Sequence, residues 1–208
     1  MKKTALEKRK ELRKKLQKNP KLYNLGKKIF QNYQSSTHFL HALPDYLIIG
    51  AVKSGTTSMY SYLIQHPDIE PALTKQIHFF DQFYGRGIKW YKSNFPIKLS
   101  MNKKITGEAT PFYFIHPDAP KRIHELIPNV KLIIMLRNPT ERAYSAYQHV
   151  SKGIREQKSF EEALSIEENR MQDDKTMTPM IMYKGMGMYY KMVKAYLDTF
   201  KNVHIILY

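Results

Sequence analysis

Short apolar runs alternate along this chain with longer stretches in which apolar residues recur at helical spacing. The runs predict β-strands over 46–50, 104–108, 131–136 and 203–207. The periodic stretches predict helices over 56–66, 87–94, 117–126, 139–152, 159–170 and 186–200. Strands that alternate with helices read as an α/β fold, a parallel β-sheet flanked by helices on both faces. Ligands of such sheets bind outside the carboxyl ends of the strands. His66-Pro67 and His116-Pro117 punctuate helix boundaries. Residues 171–188 read as an irregular loop; seven of the eleven Met lie in 171–192, where flexible thioethers fill gaps under such a loop.

The first run, Tyr46-Leu47-Ile48-Ile49, leads into Gly50 and then Lys53, Gly55, Thr56, Thr57 and Ser58 before an apolar-periodic segment begins. A strand, a glycine-bearing turn and a helix N-terminus make a phosphate cradle, because backbone N–H groups converge there and the helix dipole favours negative charge. Gly50 to Gly55 satisfies the spacing of a nucleotide triphosphatase loop, yet Thr56 stands where its lysine belongs, and Lys53 lies three places upstream. A triphosphatase also needs an acidic residue after a neighbouring strand to hold Mg²⁺. The run Val130–Leu136 ends instead in Arg137-Asn138-Pro139, suited to a second anionic group. A metal-dependent nucleotide kinase is therefore the weaker alternative.

Together these segments resemble the sulfotransferases that use 3′-phosphoadenosine 5′-phosphosulfate (PAPS), most of all the bacterial and heparan-sulfate type branch. Lys53-Ser54-Gly55-Thr56-Thr57-Ser58 is similar to that family's 5′-phosphosulfate loop, and Arg137-Asn138-Pro139-Thr140-Glu141-Arg142-Ala143-Tyr144-Ser145 to its 3′-phosphate motif. Lys75-Gln76-Ile77-His78-Phe79-Phe80-Asp81, Gly107-Glu108-Ala109-Thr110-Pro111 and Gly187-Met188-Tyr189 add further matches, so the likeness spans about residues 44–208. It implies the P-loop nucleotide-binding-like sulfotransferase fold, PAPS as sulfuryl donor, no metal, and a hydroxyl or amine acceptor on a carbohydrate or other polyanionic glycan. It also implies roles: Lys53 neutralises charge on the departing bridging oxygen, Ser54–Ser58 hold the 5′ group, and Arg137 with Ser145 grips the 3′-phosphate. A guanidinium suits that last task because it pairs with phosphate through two parallel hydrogen bonds.

One position departs from the family. Where the resemblance implies a glutamate that removes the acceptor's proton, this chain carries Gln76, and a carboxamide cannot accept that proton at neutral pH. The substitutes in reach of the same segments are His78, then Asp81, then Glu108. A protein that binds PAPS without turnover is the competing reading. Phe79, Phe80, Trp90 and Tyr91 read as core, and His149, Arg142 and Tyr147 lie on the helix after Arg137, where facing the cofactor, the surface or the core is equally open to them.

The formal net charge is +16, with twelve Lys/Arg against two acids in residues 1–28, which leaves +6 for the rest. This divides the chain into a basic helical N-terminal extension, 1–43, and a sulfotransferase-like domain, 44–208. Leu6, Leu12, Leu16, Leu22, Leu25 and Ile29 recur among the lysines, so 1–28 suits peripheral contact with an anionic membrane. No nucleic-acid motif accompanies the charge, so no specific nucleic-acid partner is expected. The extension lacks the apolar core of a signal peptide, and no run approaches a membrane span; a cytoplasmic chain is the expectation. With no Cys and no ligand-like His spacing, a metal or disulfide framework is not expected. The last residues, His204–Tyr208, read as an interior strand, and the resemblance implies a further segment beyond it.

Overall fold

The computed structural model describes residues 36–152, 156–173 and 179–208. The basic stretch 1–28 lies outside them. In chain order the elements are β1 (Tyr46–Gly50), α1 (Thr56–Leu63), β2 (Ile69–Pro71), α2 (Gly87–Lys92), α3 (Lys98–Met101), β3 (Ile105–Ala109), α4 (Ala119–Leu126), β4 (Lys131–Leu136), α5 (Pro139–Ser151), α6 (Phe160–Ser165), α7 (Glu167–Asp173), α8 (Tyr189–Thr199) and β5 (Val203–Leu207). The five strands form one sheet, ordered β2-β3-β1-β4-β5, and each neighbouring pair is parallel.

β1 is buried along its whole length because both faces of the sheet are covered. Successive residues of a strand point to opposite faces. Leu47 and Ile49 join Leu132 and Ile134 of β4 in a core shared with Ile123 of α4 and Tyr196 of α8. Tyr46 and Ile48 pack on the other side with Tyr60, Met59 and Leu63 of α1. Each such side chain contributes roughly 1.5–3 kcal/mol when fully buried.

Three of the predicted strands fall where the periodicity placed them, and β3 is shifted by one residue. β2, only three residues long and ending in Pro71, carries too little pattern to be found. The stretch 159–170 is two helices rather than one, since the chain leaves helical geometry at Ile166 (φ −97°, ψ 1°). The 186–200 helix starts at Tyr189, because Gly185–Gly187 forms a 3₁₀ turn. Within 171–188 the loop also holds the end of α7 and a 3₁₀ turn at Pro179–Ile181.

Local chemistry sets the site-bearing helix. Asn138 caps α5 with Oδ1, which accepts from the amides of Thr140 at 3.0 Å and Glu141 at 3.3 Å. Pro139 occupies the first turn, where no amide is needed. The buried face of α5 (Ala143, Ala146, Val150) packs on Ala163, Ile181 and Tyr183. Fully buried Arg142 donates through Nη2 to the Tyr183 carbonyl. No helix among the described residues is long and apolar enough to cross a membrane.

Candidate active site

β1 ends in glycine for a steric reason: a Cβ at Gly50 would lie 2.4 Å from Phe114 Cβ and 3.2 Å from the Pro111 carbonyl oxygen. The chain then turns through Lys53 at φ 67° and Gly55 at φ 82°, left-handed values that Gly adopts at little cost and lysine does not. The Ser54 amide donates to the Ala51 carbonyl at 3.2 Å inside the turn. α1 begins at Thr56. Its first amides have no acceptor within the helix, so the turn presents donors and a positive dipole end to one spot. Ser54 is fully buried, and its Oγ has no partner among the described residues. Burial, then the nearby Lys152 and Arg137 charges, pulls the Lys53 ammonium below the ordinary lysine range.

β4 lies beside β1 and runs parallel to it, so Arg137 emerges from the same edge of the sheet as Lys53. Arg137 Nε donates to Glu141 Oε2 at 3.1 Å, the Tyr189 hydroxyl donates to the Arg137 carbonyl at 2.9 Å, and the guanidinium sits 5.5 Å from the Tyr208 ring centre. The Tyr208 ring also approaches Gly55: a Cβ there would meet it at 3.1 Å.

A cavity of about 590 Å³ opens between these anchors. Lys53, Gly55, Thr56, Thr57, Gln76, Arg137 and Ser145 all line it. Lys75, Phe112, Met180 and Tyr208, which the sequence does not single out for the site, line it too, as does His149, for which the sequence leaves cofactor, surface and core open. Lys75 donates to Thr57 Oγ1, and burial holds its ammonium below the usual range. His149 stands four residues after Ser145 on α5; that i, i+4 spacing was the available signal, since it puts both on one helix face. Ser58 is exposed and outside the wall.

The substitute bases are placed differently. His78 Nδ1 and Asp81 Oδ2 are 2.8 Å apart, and the imidazole lies 5.6 Å from the Phe112 ring, but neither residue lines the cavity. Glu108 is fully buried on β3. Its carboxylate accepts from the hydroxyls of Tyr91 and Tyr113, each at 2.9 Å, from Thr110 Oγ1 at 2.6 Å and from the Ile77 amide at 3.1 Å. Burial raises its pKa against the lowering effect of those four donors. Tyr91 stacks on Phe79 at 4.4 Å inside the core, away from any ring it could offer a ligand.

A parallel α/β sheet with a glycine turn after β1, a cation after each of two adjacent strands and a cavity between them defines a fold of the P-loop-like type. A sequence model described as the sulfotransferase domain matches residues 43–208, and the chain belongs to that family. It is 46% identical over 110 residues to human heparan sulfate glucosamine 3-O-sulfotransferase 6, covering 52% of this chain and 31% of that protein. It is 40% identical over 121 residues to the membrane-associated sulfotransferase kil1 of Dictyostelium discoideum, covering 58% and 26%. The bifunctional heparan sulfate N-deacetylase/N-sulfotransferase 1 of Caenorhabditis elegans shares 41% over 115 residues, 52% of this chain and 13% of the relative. The matched part thus spans a third or less of these relatives. A solved sulfotransferase from Alicyclobacillus acidocaldarius superposes with a TM-score of 0.72 at 35% identity, covering 80% of this chain and 73% of the other. The fold is the α/β sulfotransferase fold.

Proposed function

We propose that the chain is a PAPS-dependent sulfotransferase that moves the sulfuryl group to a hydroxyl or amine of a carbohydrate acceptor. One observation carries the reading: Lys53 and Arg137, each following one of two adjacent parallel strands, open on a single cavity with Ser145. Its volume falls in the range of small-molecule sites, and the lining supplies what a nucleotide bearing phosphates at both ends requires. The α1 amides with the Thr56 and Thr57 hydroxyls of the wall suit the 5′ end; the Ser54 hydroxyl is buried in the same turn, off the wall and without a partner among the described residues. Arg137 and Ser145 suit the 3′-phosphate.

The donor supplies an activated sulfur bonded to a phosphate leaving group. In this reading Lys53 meets the charge that grows on the bridging oxygen, and a preorganised cation lowers that barrier without reorganising. The turn and α5 hold the two ends, so the reacting sulfur is positioned and little covalent chemistry falls to the protein. Gln76 can orient an acceptor through its amide but cannot take its proton. His78, paired with Asp81, lies off the cavity wall, its ring 5.6 Å from that of Phe112, which is on it.

Glycan acceptors are supported by the relatives named for heparan sulfate, and by a wall that carries Lys53, Lys75 and Arg137 but no carboxylate. Arg137 follows β4 where a triphosphatase would carry an acidic Mg²⁺ ligand, which weighs against a kinase. The basic stretch 1–28 supports peripheral contact with an anionic membrane, in line with a relative named as membrane-associated. Gln76 favours a second reading, PAPS binding without turnover. Transfer of radiolabelled sulfate from PAPS to a panel of heparan-type polysaccharides separates the two. Labelled polysaccharide supports the enzyme; tight nucleotide binding with no labelled product on any acceptor overturns it.

A further inference from the structure

We propose that His149 takes the acceptor's proton during transfer, the task that Gln76 cannot perform; this rests on the sulfuryl-transfer reading above. Among the described residues the cavity wall contains no Asp or Glu side chain. Its ionisable groups are Lys53, Lys75, Arg137, His149 and Tyr208. Arginine stays protonated in proteins. Lys75 spends its ammonium on the Thr57 hydroxyl, Lys53 is committed to the leaving group, and a tyrosine hydroxyl is protonated at neutral pH. Among them imidazole is the side chain that most often serves as general base, accepting a proton on a ring nitrogen.

Candidates outside the wall are engaged elsewhere. Glu108 is sealed in the core with four donors on its carboxylate. Asp81 accepts from the Gln82 amide at 2.8 Å as well as pairing with His78. His149, by contrast, is exposed and borders the cavity. It follows Ser145 by one turn of α5, about 5–6 Å away between Cβ atoms. Gln76, Phe112 and His149 line one cavity with Lys53, so the imidazole opens on the space an acceptor would enter.

In the step, the acceptor oxygen bonds to sulfur as its proton passes to an imidazole nitrogen of His149. The bond from sulfur to the bridging phosphate oxygen breaks, and its electron pair stays on that oxygen, facing Lys53. The products are the sulfate ester and adenosine 3′,5′-bisphosphate. The His149 imidazolium then releases its proton to water.

The test uses the full chain, labelled PAPS, a heparan-type polysaccharide that the wild type labels, and calorimetry with adenosine 3′,5′-bisphosphate. His149→Ala is expected to lower kcat by about 10²–10⁴, the usual worth of general-base help, with bisphosphate affinity unchanged. Added imidazole should restore turnover. In a Gln76→Glu background, where a carboxylate can accept the proton, the same substitution should cost far less. Wild-type kcat in His149→Ala overturns the proposal while leaving the sulfotransferase reading intact. So does a loss that imidazole cannot restore, or an imidazole-rescued loss in His78→Ala instead. Nucleotide binding with no transfer by the wild type also overturns it. A wild type that neither binds the bisphosphate nor transfers sulfate removes the underlying reading itself, a distinct result.

Discussion

The amide of Ile77 donates to Glu108 Oε2 at 3.1 Å, so the segment that brings Gln76 to the cavity is pinned by a buried carboxylate on β3. The neighbouring Ala109 amide donates back to the Lys75 carbonyl at 2.9 Å. Residues 75–77 are thus stitched to β3 through both an amide and a carbonyl, which fixes the part of the cavity wall that carries Gln76.

Replacing Glu108 should therefore loosen both the fold and the wall. Glu108→Gln places an amide among four donors and is expected to cost about 1.5–3 kcal/mol, the scale of hydrogen bonds to a charged group. The pH dependence has a definite sign. Burial raises the folded-state pKa of Glu108 above its unfolded value, so the stability linked to this group is complete at low pH and is lost as pH rises through the folded pKa. The deficit of Glu108→Gln against wild type in urea melts should shrink as pH rises from the acid side towards neutrality; a deficit that grows would contradict the assignment.

Lys53 should matter to turnover more than to binding. Its left-handed backbone sets the lysine at the turn, where burial and then the like charges of Lys152 and Arg137 pull its ammonium below the ordinary range, and removal of one preorganised stabilising group typically costs about 10²–10³ in kcat. Lys53→Met is expected to show that loss in labelled-sulfate assays, with a smaller change in bisphosphate affinity. A larger loss in affinity than in kcat would make Lys53 a binding residue only.

Gly55 is required by conformation and by space. At φ 82°, with the Tyr208 ring 3.1 Å from where a Cβ would sit, Gly55→Ala is expected to destabilise the turn by about 1–2 kcal/mol and to weaken bisphosphate binding. Thermal unfolding with and without nucleotide reads both. Unchanged melting in both conditions would mean that the turn tolerates rearrangement.

Restoring a carboxylate tests the chemistry of position 76 directly. Gln76→Glu should raise kcat if proton removal limits the wild type, measured under saturating donor. Equal rates would mean that another group already does the work at full efficiency.

The sheet was legible because its inner strands are continuous apolar runs, buried on both faces, and 46–50, 131–136 and 203–207 could be read directly. β2 was not, since Ile69-Glu70-Pro71 is held by parallel pairing to β3 rather than by any pattern of its own. The break at Ile166 and the late start of α8 are set by packing of α6 and of the Gly185–Gly187 turn, contacts between distant residues that no local window contains. In the site, the two phosphate motifs announced Lys53, Arg137 and Ser145 through strand ends and helix starts. The placement of Lys75 depends on the Glu108 network across the sheet. That of Tyr208 depends on β5 lying next to β4. Ser58, inside the motif in sequence, turns outward because α1 winds it off the cavity face.

Calorimetric titration of adenosine 3′,5′-bisphosphate, with and without Mg²⁺, into wild type and Arg137→Ala tests the two-anchor arrangement most directly. Metal-independent binding, weakened by more than about 1.5 kcal/mol in the variant as expected for a lost charged hydrogen bond, is the anticipated outcome. Equal affinity of the two proteins, or a Mg²⁺-dependent preference for ATP, would contradict it.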